Sequence, residues 1–293
     1  MDLERYFRYD GNGKLSLKDQ KTDDLAGYSD KDEAEKEIAG DIGKLRLMQD
    51  MLYAQDKHAV LIVLQALDAA GKDSTISHVM SGVNPQGCQV VSFKTPTAED
   101  LSHDYLWRIS KNLPQRGHIG IFNRSYYEEA LVTRVHPGYI VSEGIPGINS
   151  PADVDRAFWK RRLAEFRAYE SYLSNNGFTI IKFFLHLSKE EQRQRFLKRI
   201  EQKEKNWKFS AADIKERALW DEYQRAFEEA ISHTATEENP WYIIPADRKW
   251  FTRLAVSKII NARMERLELA YPTVSAEQAK ELARIREQLL NEE

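Results

Sequence analysis

Residues 64–79, LQALDAAGKDSTISHV, bring a glycine, a lysine, carboxylates and hydroxyls into one short segment. An apolar run precedes it and a helical pattern follows it. Successive backbone N–H groups at such a helix start form an anion cradle, and Lys72 adds a mobile full charge for terminal phosphates. The spelling departs from the phosphate-loop pattern G-x-x-x-x-G-K-[ST] at two places. Ala66 stands where the first glycine is expected, and Asp73 stands where the hydroxyl is expected, with Ser74 and Thr75 just after. Asp68 inside the loop would repel a bound phosphate unless a cation lay between them, which makes it a candidate magnesium ligand. The same letters also fit a polar turn capped by Asp; the flanking strand and helix favour the phosphate reading. Ala69, Ala70 and Gly71, with Asp73, Ser74 and Thr75, are the expected phosphate contacts.

A second constellation lies in GIFNRSYYEEALVTRVHP, residues 120–137. Asn123 ends a strand at the position where phosphate-loop kinases usually carry Asp. Arg124 follows, and an arginine just past a strand end points into the crevice at the carboxyl edge of a sheet, where ligands bind. Glu128 is a candidate for the site, whereas Glu129 reads as a solvated helix start and His136 as structural. A third segment, SKEEQRQRFLKRIEQKEKNWKFS at 188–210, is rich in lysine and arginine on a helical pattern. Phe196, Leu197 and Ile200 form one face, and Arg195, Lys198, Arg199 and Lys203 read as another. A charged helical face is ordinarily just solvated. This one follows the fourth strand, where small phosphate-transfer kinases carry a closing lid, so Arg193 and Arg199 are the lid candidates. Past the last strand, Arg248, Lys249 and Arg253 either touch ligand or decorate a helix.

The elements that must position these residues are legible as apolar runs. HAVLIVLQAL, CQVVSF, HIGIFN, FTIIKFFLHL and WYIIP are strand-sized, rich in branched or aromatic residues, and separated by helical patterns. That alternation means an α/β chain with a parallel sheet covered on both faces. Ile38, Ile42, Leu45, Met48 and Leu52 give a helix over about 31–55. Ser150-Pro151 with Asp153 predicts a helix start, closed by Gly177. Ser188 with Glu191, and more weakly Ser210 with Asp213, spell further starts. Residues 1–30 show no sustained period and read as an arm over the surface. The expected division is an arm and helix at 1–56, a core at 57–266 with its lid at 188–210, and a helical tail at 267–293.

The chain has 293 residues, with 43 Lys and Arg against 46 Asp and Glu, a formal charge of −3. That balance argues against a general nucleic-acid binder, so any polyanion site must be a local basic patch. Cys88 is the sole cysteine, so no intrachain disulfide can form and a cytoplasmic address is the simple expectation. No apolar stretch has the length of a membrane span, and the N-terminus has no signal-like run.

With these pieces in place, the run from Met51 to Lys94 and the segment IGIFNRSYYEEALVTRVHP together resemble polyphosphate kinase family 2. HDYLWR, NWKFS and PWYIIPADRKW extend the similarity over about Met48 to Ile260. The resemblance implies a three-layer P-loop kinase fold, with a five-stranded parallel sheet flanked by helices and a helical lid. It implies phosphoryl transfer between inorganic polyphosphate and nucleotides, chiefly AMP and ADP with guanine nucleotides as alternatives, using Mg²⁺ or alternatively Mn²⁺. Asp68 and Lys72 match the family's essential loop residues, and Arg124 matches the arginine of its second motif. Many members read D-R-S-W-Y-N where this chain reads NRSYYE. Asn123 and Glu128 therefore resemble the subgroup called class III, which accepts AMP as well as ADP. No base is needed, because the nucleotide phosphate is already an anionic nucleophile. Glu128 is then placed near the nucleotide phosphate or metal, and Lys94, Arg134, Arg193 and Arg199 along the polyphosphate path. Family analogy also implies a homo-oligomer. Two other readings stay open: an ATP-dependent nucleoside or nucleotide kinase of the same fold, and a non-catalytic nucleotide or phosphate sensor. The retained Lys72 and the basic lid argue against the sensor.

Overall fold

The computed structural model describes residues 1–204 and 206–292, and all five apolar runs are strands in it. With one further strand they are β1 (Arg8–Tyr9), β2 (Ala59–Gln65), β3 (Cys88–Ser92), β4 (Ile119–Asn123), β5 (Phe178–His186) and β6 (Trp241–Pro245). Their order across the sheet is β1-β6-β5-β2-β4-β3. The five from β2 to β6 run parallel, and β1 pairs antiparallel with β6, Arg8 opposite Tyr242. The expected five-stranded sheet is thus corrected to six strands. Two residues are too few for a hydrophobic period, and β1 exists because the outer edge of β6 has free backbone groups to pair.

Helices of eight residues or more among the described residues are α1 (Lys31–Gln55), α2 (Lys72–Val79), α3 (Glu128–Val135), α4 (Arg156–Asn175), α5 (Lys189–Glu201), α6 (Ala211–Ala218), α7 (Trp220–Thr234), α8 (Lys249–Glu265) and α9 (Ala276–Leu290). All seven residues of β2 are buried, as a central strand covered on both faces requires. Alternate side chains of that strand feed two cores. Val60, Ile62 and Leu64 pack with α1, α2 and α8, whereas Leu61 and Val63 pack with α3, α4 and α7. Each such fully buried side chain contributes about 1.5–3 kcal/mol.

The N-terminal arm does more than lie on the surface. Leu3 and Phe7 enter the first core, and Leu15 and Leu17 the second. The long helix α4 also starts later than its sequence signal suggests. Pro151–Asp153 is a separate short turn whose Asp153 accepts from the Ser150 N–H at 2.8 Å, and Asp155 caps α4 itself. Gly177 closes α4 at φ 86°, as expected. The segment expected to be a lid is α5 followed by a turn at Asn206–Lys208; Lys205 lies outside the described residues.

One charge sits inside the sheet. Lys182 on β5 is fully buried, and its Nζ donates to Glu170 Oε2 at 2.6 Å and to the Thr234 carbonyl at 3.1 Å. Glu170 also accepts from the Tyr126 and Tyr127 hydroxyls, both at 2.7 Å. This satisfied network pins the chain directly after Arg124 to the sheet and to α4.

Candidate active site

The loop between β2 and α2 turns sharply at the carboxyl edge of the sheet. Gly71 takes φ 108°, a left-handed value that suits glycine, and Ala69 takes φ 64°, which is uncommon for a residue with a Cβ. The Lys72 ammonium folds back under the loop, donating to the Ala66 carbonyl at 2.7 Å and to Leu67 at 3.4 Å. Burial pushes its pKa down, against the pull of Asp68, Glu128 and Asp73. The Ser74 hydroxyl donates to the Gly71 carbonyl at 3.0 Å, and the Thr75 N–H to the same oxygen at 2.9 Å. The first amides of α2 remain at its N-terminal end, where no intrahelical acceptor exists.

Strand β4 delivers the second group. The Asn123 amide donates to Asp73 at 2.6 Å, so the residue in the usual Asp position is tied to the residue in the usual hydroxyl position. Arg124 takes φ 68°, and its N–H donates to the Leu64 carbonyl at 3.1 Å. Its guanidinium reaches Asp68 at 3.3 Å with both side chains partly exposed. Non-glycine residues at positive φ cost of order 1–3 kcal/mol and persist where their surroundings overdetermine them. Ala69 and Arg124 place two such residues at this edge. Burial works against the Arg124 charge, but Glu128 and Asp68 outweigh it and raise its pKa. Glu128, at the start of α3, is raised in turn by burial, with Arg124 and Lys72 opposing.

Ala66, Leu67 and Asp68 of the loop line a cavity of about 570 Å³ together with Lys94, Arg108, Arg124, Glu128, Glu129 and Arg217 and with apolar and aromatic side chains such as Leu131 and Tyr139. A larger hollow of about 900 Å³ between the arm and α7 contains none of the loop residues. Glu129 is not a solvated helix start: it is buried, holds Arg108 at 3.0 Å, and burial beside Glu143 lifts its pKa to about 7. His136 pairs with Glu216 at 2.9 Å, outside the phosphate loop.

Three arginines singled out by charge are not brought to the cavity. Arg134 bonds Glu229 at 3.0 Å and lies over the Trp159 ring. Arg193 is exposed and paired with Glu190, and Arg199 stacks near Phe196. The basic face of α5 instead supplies Arg195, read from sequence as solvated. It is buried, and with Gln192 it meets the back of the loop. Its one sequence signal is its place one turn from Gln192 and beside the core residue Phe196.

Among the described residues no group of three or more His, Cys, Asp or Glu could hold a metal unaided. Mg²⁺ typically takes one or two carboxylates and completes its shell with substrate phosphates and water. A partly exposed Asp68 facing the cavity fits that kind of site.

A buried parallel strand leading into a glycine-lysine loop at a helix start, with an arginine and carboxylates across a cleft, defines a phosphotransferase with the P-loop kinase fold. Residues 28–271 match the family described as Polyphosphate kinase 2 (PPK2). The chain is 51% identical to an ADP-polyphosphate phosphotransferase of Rhodopseudomonas palustris over 90% of each chain. It is 42% identical to an AMP/ADP-polyphosphate phosphotransferase of Meiothermus ruber, covering 91% of this chain and 94% of that one. The crystal structure of Polyphosphate Kinase 2 from Arthrobacter aurescens TC1 superposes with a TM-score of 0.88 at 36% identity, covering 98% of this chain and 97% of the other. The chain belongs to the polyphosphate kinase 2 family.

Proposed function

We propose that this chain transfers phosphoryl groups from inorganic polyphosphate to both ADP and AMP. The observation that carries the proposal is that the first residues of the phosphate loop, Ala66 to Asp68, share one cavity with Arg124 and Glu128, and that its walls combine Lys94, Arg108 and Arg217 with carboxylates and with apolar and aromatic side chains. The loop amides and Lys72 hold the terminal phosphates of the donor. Arg124 and Lys94 neutralise the bridging and acceptor phosphates, and Glu128 sits beside the acceptor. Phosphoryl transfer through a loose, charge-spread transition state needs positioning and cations more than a base. Asn123 in place of a carboxylate is consistent with that demand, because it fixes Asp73 and takes no proton. Mg²⁺, with Mn²⁺ as the alternative, would be held by Asp68 with the substrate phosphates. When bound, it supplies further charge neutralisation on the transferring group.

A cytoplasmic location, supported by the single free Cys88, belongs to the same proposal. So does self-association through the exposed Leu282, Ile285 and Leu289 on α9. The test is product analysis with Mg²⁺ and long-chain polyphosphate, offering AMP or ADP, with ATP as a competing donor. ATP from ADP, and ADP followed by ATP from AMP, are expected. No ADP from AMP removes the AMP part of the proposal. Transfer from ATP but not from polyphosphate replaces it with an ATP-dependent kinase.

A further inference from the structure

The carbonyls of three consecutive loop residues are all taken by one face of α5. Gln192 Nε2 donates to the Asp68 carbonyl at 2.9 Å. Arg195 Nη1 donates to the Ala69 carbonyl at 3.0 Å and to Ala70 at 2.8 Å. The other amino group, Nη2, donates to the Ala246 carbonyl at 2.6 Å and to Asp247 at 3.2 Å, and Nε donates to Glu191 at 2.8 Å. A guanidinium has five N–H donors, and here each has an acceptor within the chain. Arg195 therefore has no donor left for a substrate, unlike an arginine that enters from a lid to meet the transferring phosphoryl.

Its effect on the loop follows from peptide geometry. In a planar trans peptide the C=O of one residue and the N–H of the next point in opposite directions. Holding the carbonyls of residues 68–70 against α5 turns the following amides, those of Ala69, Ala70 and Gly71, toward the other side. Ala70 spends its N–H within the loop on Leu67, which leaves the amides of Ala69 and Gly71 on the side away from α5. The same grip holds Ala69 at φ 64°, a conformation that a free loop would leave. Gln192 is itself oriented, since its Oε1 accepts from Arg217 Nη1 at 2.9 Å.

We propose that Arg195, assisted by Gln192, is a positioning residue for phosphoryl transfer: it clamps the loop carbonyls so that the opposite amides stay aimed at the donor phosphate. The clamp rests on the reading of this loop as the donor phosphate site. Lysine cannot replace it, because one ammonium has three donors and no planar fork. The experiment compares the full-length chain with Arg195→Lys, Arg195→Ala and Gln192→Leu. It measures Tm, kcat, separate KM values for polyphosphate and ADP, and calorimetric binding of inorganic tripolyphosphate.

Arg195→Lys is expected to stay folded, to lose about 100-fold in kcat/KM for polyphosphate, and to bind tripolyphosphate correspondingly less tightly. The KM for ADP is expected to be unchanged. Gln192→Leu is expected to lose about tenfold in the same constants. Guanidinium ion added to Arg195→Ala is expected to restore part of its rate. Wild-type tripolyphosphate binding and turnover in folded Arg195→Lys and Gln192→Leu overturns the clamp, as does an equal loss for both substrates that follows Tm. Tripolyphosphate binding reads the loop whichever donor is used. A wild-type chain that binds it and yet fails to use polyphosphate therefore sinks the proposed function and leaves the clamp standing.

Discussion

Lys72 lies beneath its loop, its ammonium on two carbonyls and its charge weakened by burial. Its ammonium keeps a third donor for a phosphate, and the field of the substrate restores the charge that burial opposes. Replacing Lys72 with Ala is expected to lower the rate of ATP formation from polyphosphate and ADP by at least about 10³-fold. The circular dichroism spectrum should be retained. A near-normal rate with saturating ADP and Mg²⁺ refutes the role. Lys72 was legible in the sequence because its glycine, loop and helix are its neighbours in the chain. Asp68, Arg124, Glu128 and Lys94 were legible for the same reason, each following a readable strand. Arg195 was not. Its acceptors are backbone oxygens 125 and 126 residues away along the chain, and a carbonyl has no residue type to recognise. The charge pattern of α5 pointed to Arg193 and Arg199, which do not line the cavity, because a helical wheel gives the faces of a helix without saying which one the fold covers.

Among the elements, the arm and the end of β5 meet at His186. Its Nε2 donates to the Leu17 carbonyl at 3.1 Å, and burial pushes its pKa down. The unfolded chain therefore binds this proton more readily than the folded one. The contribution of His186 is complete above the ordinary histidine range near pH 6.5 and is lost as the pH falls below it. Thermal unfolding between pH 7 and pH 5 should show Tm falling less in His186→Gln than in the parent chain; identical slopes would refute the assignment. The five long strands were readable from branched and aromatic runs, and β2 even showed by its unbroken apolar letters that both its faces are covered. Strand β1 and the burial of Leu3, Phe7, Leu15 and Leu17 were not readable, since the arm has no period of its own and takes its conformation from the edge of β6. The grip of Arg195 also ties the first turns of α5 to the core, so a lid that closes should bend beyond that point, toward Gln202.

For the whole molecule, near-neutral charge and a cavity of mixed charge go together, so a polyanion is met by local cations such as Lys94 and Arg124 rather than by the field of the whole chain. No residue of α9 is buried, and its leucines and isoleucine face solvent. Ending the chain at residue 270 is therefore expected to leave Tm within about 2 °C of the parent. Sedimentation should show whether assembly depends on that helix; a large fall in Tm for a monomeric truncated chain would mean that α9 supports the core. The pairing of β1 with β6 has a consequence for how the protein is made. Arg8 pairs with Tyr242, so this contact joins the earliest strand to the latest. While a ribosome extends the chain, the central strands can assemble, but β1 has no edge to pair with until β6 emerges. Sealing of the sheet edge thus waits for β6, and a fusion that delays the arm would leave that edge open to a neighbouring nascent chain.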